Sequence, residues 1–339
     1  MGALEHGLGA LMSIPLSVLE LSPVGVGRTP SQAINDSVAL ARWADDTSFV
    51  RFWIAEHHNM ASIATSAPEV LIAHIAAATR RIRVGAGGMM IPNTSPLRLV
   101  EIFRTLEALH PGRIDLGLGR APGTDPVASS ALRRTDDDVN QQLAELIAFE
   151  RGEFPARHPF AQITPMPDDV PAGTIWMLGS TLAGASIAAQ LGLPYAFAGH
   201  FAMRHGKDAL AHYRRNFTPS AQLAEPYAIV AVTCVCGETA EEATRLAAPL
   251  KLAIVKNRTG KREPIASVED ALAYPFSAAE QAIADEFFLG AVIGDPAYVG
   301  RQLPALAAEL GADELMLSAL LPDLASRQAS LGRALAATR

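Results

Sequence analysis

Short apolar runs alternate with stretches of helical spacing along the whole chain, and this alternation sets the tightest limit on the fold. The apolar runs fall at residues 14–21, 51–55, 81–91, 113–120, 175–178, 194–198, 227–236 and 313–318. Helical spacing fills 31–47, 66–79, 95–109, 136–151, 181–191, 207–216, 239–255, 295–310 and 323–336. Strands that alternate with helices imply a parallel sheet. About eight such units close into a (β/α)8 barrel, the TIM barrel, as a single domain over residues 13–339. The chain has 339 residues, a length typical of such a barrel with insertions. No repeat shorter than the strand–helix unit is evident.

Charge and cysteine usage remove several classes of function. The net charge is −7 and no long basic run occurs. Nucleic acid and an anionic membrane surface are therefore excluded as expected partners. Cys234 and Cys236 lie two apart in one apolar run, so they point to the same face of a strand. A disulfide that close would be strained, and two thiols alone make a poor metal site. They are read as small buried apolar residues in a reducing cytoplasm. Residues 1–12 are rich in Gly, Ala and Leu, lack a basic n-region, and precede no run of membrane-spanning length. They are expected to be a disordered leader, with Met12 as an alternative start, on a soluble protein. Residues 153–174 form a Pro-rich excursion. Residues 256–278 are charged and irregular, as functional lids often are. The helix at 66–79, with Ser66 as its expected cap, is apolar almost all round. That calls for either a subunit contact or deep burial within one chain.

In a β/α barrel the carboxyl ends of the strands form the active-site face. The second run ends as Phe52-Trp53-Ile54-Ala55-Glu56-His57-His58-Asn59. By alternation Trp53, Ala55 and His57 share one face, with Ile54 and Glu56 on the other. One of Glu56 and His57 therefore faces the barrel mouth. A histidine there serves as an acid–base or hydrogen-bonding group; its structural alternative is pairing with Glu56 or a carbonyl. Adjacent side chains diverge, so Glu56, His57 and His58 make a weak metal site, and no metal is expected.

The third run ends at Gly85-Ala86-Gly87-Gly88. Bare backbone at a strand exit suits a flat ligand, or else a tight turn or bulge. Arg120 ends the fourth run among Gly117, Gly119 and Gly123. Its guanidinium suits a phosphate, unless it pairs at the surface with Asp115 or Asp125. Gly179-Ser180-Thr181 opens a helix after the fifth run, as an anion site or an ordinary cap. Neighbouring strands would let Arg120 and Ser180 grip one phosphate, unlike the common barrel site after strands seven and eight. The Gly117, Gly119, Gly123 spacing is not a dinucleotide fingerprint, and neither a P-loop nor a nucleophile elbow is found.

Four ordered blocks together carry a family resemblance. They are Trp53-Ile54-Ala55-Glu56-His57-His58-Asn59, the segment 84–93, the segment 110–123, and Leu178-Gly179-Ser180 leading into 188–194. From about Leu16 to the C-terminus the chain resembles the bacterial luciferase-like flavin monooxygenases, and within them the single-chain subgroup. The resemblance implies a luciferase-like barrel that binds reduced FMN supplied by a separate reductase. It implies an O2-using oxidation of a small organic substrate, here unidentified, through a C4a-peroxyflavin. His57 is implied as the catalytic residue. Glu56, Gly87, Gly88, Met89, Arg120, Leu178, Gly179, Ser180 and Thr181 are implied as the flavin-binding set, with a cis peptide at Gly87-Gly88. A homodimer through the helices near 67–79 and 96–109, and a mobile loop within 256–278, are also implied. Phe52, Met89 and Phe201 are expected near an apolar pocket. True luciferases carry a Cys where this chain has Gly119, and their long insertion is missing, so light emission with a long-chain aldehyde is not implied. Two alternatives stand: a deazaflavin-dependent dehydrogenase on the same barrel, and a flavoprotein that binds FMN without turnover.

Overall fold

A computed structural model describes residues 14–121, 123–132 and 138–339. The expected leader at 1–12, and the start of the helix expected from 136, lie outside these residues. Eight parallel strands close on themselves: β1 (Leu16–Glu20), β2 (Arg51–Ile54), β3 (Arg83–Ala86), β4 (Ile114–Gly119), β5 (Thr174–Gly179), β6 (Tyr195–Phe197), β7 (Ala228–Cys236) and β8 (Glu314–Ser318). Each pairs with the next, and β8 pairs with both β7 and β1, closing the ring. The register runs, for example, Phe52 to Val84, Leu315 to Val230 and Leu16 to Leu315.

The outer layer contains α1 (Pro30–Asp45), α2 (Pro68–Ala78), α3 (Pro96–Leu109), α4 (Val139–Arg151), α5 (Leu182–Leu191), α6 (Gly206–Arg215), α7 (Ala240–Arg258), α8 (Ala278–Phe287), α9 (Pro296–Leu310) and α10 (Leu324–Ala337). Their ends follow local chemistry. Thr29 and Gln32 form a reciprocal capping box at α1. Gly192 and Gly311 end α5 and α9 with φ near +65°, a conformation that costs a side chain more than it costs glycine. At α2 the expected cap is corrected. Ala67, not Ser66, occupies the N-cap position, and no side chain caps the helix.

Alternation along each strand sorts the core into two layers. Phe52, Ile54, Val84 and Leu116 point outward into the main apolar layer beneath the helices. Leu19, Trp53, Ala55, Trp176, Ile229 and Met316 point inward and fill the barrel. Both cysteines are free and buried in the outer layer. No described helix is long and apolar enough to cross a membrane.

The amino ends of the strands are closed by a buried ionic floor. Asp115, fully buried, accepts from Arg51 Nη1 at 2.9 Å and from Arg83 Nη2 at 2.6 Å. The same carboxylate accepts from Trp53 Nε1 at 3.0 Å and from Trp176 Nε1 at 3.4 Å. Arg51 also pairs with Glu314 at 3.1 Å, and Glu314 accepts from the hydroxyls of Tyr227 and Ser17.

The stretch 256–278 differs from the expected irregular lid. Its first residues complete α7, and Val268–Ala273 form another short helix. The remaining loop is stitched down: Ile265 is buried, donates to Val24 O and accepts from Val26 N, each at 2.8 Å. Helix α8 and the short strand Val292–Gly294, which pairs in parallel with the end of β7, were not legible in the apolar pattern.

Candidate active site

A cavity of about 780 Å³ opens at the carboxyl ends of the strands, within the range of cofactor and small-molecule sites. It bottoms out on Leu19, Trp53, Ile229 and Met316, above the ionic floor. Its wall brings together His57, Gly87, Gly88, Arg120, Leu178, Gly179, Ser180 and Thr181, eight of the ten residues expected from the sequence.

The other two face elsewhere. Glu56 alternates away from His57 and is buried behind the wall. Its carboxylate accepts from Met90 N and Asn93 Nδ2, each at 2.7 Å, and holds His58 Nε2 at 2.9 Å. Glu56 therefore fastens the segment after β3 to the end of β2. Met89 packs into the outer layer, and its neighbour Met90 reaches the cavity instead. Phe52 likewise lies in the outer layer, whereas Phe201 lines the cavity.

His57 continues the inward face of β2. The structural alternative of pairing with Glu56 is not realised, because His58 takes that place. No described group hydrogen-bonds the His57 ring, and its Nδ1 is buried. Burial, with a smaller contribution from His58, lowers its pKa to about 4. The ring is thus neutral at pH 7.

The peptide between Gly87 and Gly88 is cis. The protein's own packing already requires small residues here. A Cβ on Gly88 would lie 2.8 Å from Gly117 O, and one on Gly117 would lie 2.0 Å from Ala86 O. The missing side chains also leave this backbone open to the cavity.

Arg120 stands at the end of β4 and pairs with neither Asp115 nor Asp125. Asp115 belongs to the floor, and Asp125 holds Arg262 at 2.9 Å and Asn59 at 2.9 Å. Its guanidinium has no ion pair among the described residues. Across from it, Thr181 is the N-cap of α5 yet makes no side-chain cap bond, so first-turn N–H groups and two hydroxyls face the same rim. An unpaired guanidinium, free hydroxyls and an uncapped helix start suit a phosphate. The residues therefore fit the FMN tail.

The sequence reading missed several wall residues: His200, Arg258, Asn257, Asn140 and the apolar group Leu250, Ile254, Ile265 and Phe287. His200 follows β6 by three residues, so the strand-end rule could have found it. Arg258 ends a helix whose length the pattern underestimated. No carboxylate lines the cavity among the described residues, and no described cluster of three or more His, Cys, Asp or Glu suits a metal ion.

The comparisons with known proteins agree with this geometry. The family described as luciferase-like monooxygenase matches residues 14–314. A luciferase-like monooxygenase of Escherichia coli (strain K12) is 40% identical over 319 residues, covering 93% of this chain and 94% of the relative. N-acetyl-S-alkylcysteine monooxygenase of Bacillus subtilis (strain 168) is 36% identical over 268 residues, covering 77% and 79%. Among solved structures, apo-MsnO8 superimposes with a TM-score of 0.88 at 36% identity, covering 97% of this chain and 98% of that one. With its closed parallel barrel and this matched length, the chain belongs to the luciferase-like monooxygenases.

Proposed function

We propose that this monooxygenase uses FMN, taken up reduced from a separate flavin reductase, with O2 as co-substrate. The observation that carries this reading is Arg120, with no ion pair among the described residues, lining the same wall as Ser180, Thr181 and the uncapped start of α5. Arg120, Ser180 and Thr181 would hold the phosphate. Leu178, Gly87 and Gly88 would lie along the ring. Reduced FMN, when bound, supplies the electrons that activate O2. The protein's part is to exclude water with an apolar wall and to present a neutral imidazole, His57, as a hydrogen-bonding group beside the flavin.

The substrate class we propose is a thioether or similar small apolar molecule that carries a carboxylate. The relative named for N-acetyl-S-alkylcysteines supports this reading. Arg258 supports it too, as a second cavity cation without an ion pair among the described residues. We also infer a cytoplasmic homodimer through α2 and α3. The surface stripe of Val70, His74 and Ala77 on α2, with Val70 63% exposed, and Leu109, 65% exposed at the end of α3, support that pairing.

The test is anaerobic titration with reduced FMN followed by air. Tight binding and oxygen uptake support the proposal. His57→Ala is expected to keep FMN binding while releasing more peroxide per substrate oxidised. Oxygen inertness with tight binding of a deazaflavin would overturn the FMN reading.

A further inference from the structure

His200 is an ionisable, partly buried wall residue with no role so far. It is the second residue of the short helix Gly199–Ala202 after β6. In an eight-strand ring, β6 stands opposite β2, so His200 faces the cavity from the side across from His57. Its helix packs on β7 and α8, which places it between two regions. On one side are β3 to β5, with Gly87, Gly88, Leu178 and the phosphate grip. On the other is the apolar wall of Leu250, Ile254, Ile265 and Phe287. A flat cofactor on the first region and a substrate body on the second would meet beside His200.

The ring's own bonding points to a ligand. No described group hydrogen-bonds either nitrogen of His200. Nδ1 is buried without a partner, whereas Nε2 does not share that enclosure and is the nitrogen left to face the cavity. Phe201 meets the ring edge-on at 4.5 Å between centroids, which fixes its plane. Burial, and then His57, lowers its pKa to about 4, so at pH 7 the ring is neutral and holds one proton. A buried N–H without an acceptor is rarer than an under-satisfied acceptor. The favoured tautomer therefore carries the proton on Nε2, as a donor aimed into a cavity that offers it nothing.

We infer that His200 contacts the substrate, its Nε2–H donating to an acceptor oxygen of the carbonyl class. The inference rests on the monooxygenase reading of the same cavity and adds the residue that orients the substrate. His57 serves the flavin side and His200 the substrate side.

The experiment labels histidine with 15N and follows the ring resonances of the full chain. The His200 signal is assigned by its loss in His200→Gln. Three probes are added to the FMN-loaded protein: N-acetyl-S-methylcysteine, its methyl ester, and 2-octanone. The His200 Nε2 resonance is expected to move with at least one probe and to stay put with FMN alone. For that probe, His200→Leu should weaken binding about tenfold and His200→Gln less than threefold, with FMN affinity held within threefold in both. A shift produced by FMN alone, no shift with any probe, or unchanged probe affinity in His200→Leu would each overturn the inference. If the wild-type protein fails to bind FMN, the cofactor proposal falls. The same probe titration on the flavin-free chain still decides the role of His200.

Discussion

Replacing Asp115 by Asn tests whether the barrel floor is held by charge or merely by packing. The side chain is fully buried, and the exchange keeps its size. Each carboxylate oxygen serves one indole and one guanidinium. Oδ2 accepts from Trp53 and Arg51, and Oδ1 accepts from Trp176 and Arg83. An amide keeps one oxygen and turns two N–H groups toward the other pair of donors. It also leaves Arg51 and Arg83 without their shared counter-charge, and only Arg51 has a second carboxylate, Glu314. Removing one partner from a buried ion pair costs about 3–5 kcal/mol. Unfolding entropy near 2.1 cal/mol/K per residue over 339 residues turns that loss into a Tm drop of about 4–7 °C. Circular dichroism melts of wild type and variant, at one scan rate and in excess salt, measure it. Salt screens buried pairs little, so the drop should persist at 0.5 M NaCl. A variant that melts within about 1 °C of wild type would refute the reasoning, because four donors would then be indifferent to their only common acceptor.

Three further outcomes follow from the site and its rim. Arg120→Ala should weaken FMN by roughly 10- to 100-fold, the worth of a charge-assisted pair, and riboflavin by less than threefold, as read by flavin fluorescence quenching; equal losses would remove the phosphate assignment. Unfolded imidazoles take up protons near pH 6.5, but His57 and His200 resist until about pH 4. Unfolding therefore binds protons in that window, and the stability these rings contribute above pH 6.5 is lost as pH falls toward 4. Between pH 7 and 4.5 the double variant His57→Gln, His200→Gln should lose less Tm than wild type. Arg262→Ala breaks the 2.9 Å pair to Asp125 at the cavity rim, where Arg262 is 46% exposed. Such exposed pairs are worth about 1 kcal/mol or less, so Tm should move by under about 2 °C while amide exchange in 259–267 rises several-fold.

Much of this was legible because two short periods carry it. A period of two placed Trp53, Ala55 and His57 on one shared face, which the structure turns inward, and alternation with helices gave all eight strands. Glycines and an arginine at strand ends pointed to residues that the structure gathers on one cavity wall. What escaped depended on distant partners. Glu56 reads like a ligand until Met90, Asn93 and His58 are seen to saturate it. Met89 and Met90 are indistinguishable locally; the pairing of Met89 with Leu118 and Met90 with Gly119 fixes which one turns inward. Gly87 and Gly88 looked like a ligand platform, yet packing demands them too: a Cβ on Gly87 would press on Leu19 and Trp53, and one on Gly88 on Gly117 O and Leu178. The polar sequence of 256–278 hid a loop anchored by the buried pair Ile265 and Ala266. The end of α7, and Arg258 with it, lay beyond the apolar periodicity that defined the helix.

The sealed floor makes the chamber a dead end. Whatever the enzyme binds and releases in this cavity has to pass the rim opposite the floor, so turnover is a matter of traffic order as much as of chemistry. A tenant lodged deepest leaves last, and whatever docks nearest the threshold governs everyone's departure. Changes in what the enzyme accepts should therefore accumulate in the loops around that threshold, while the far wall stays fixed.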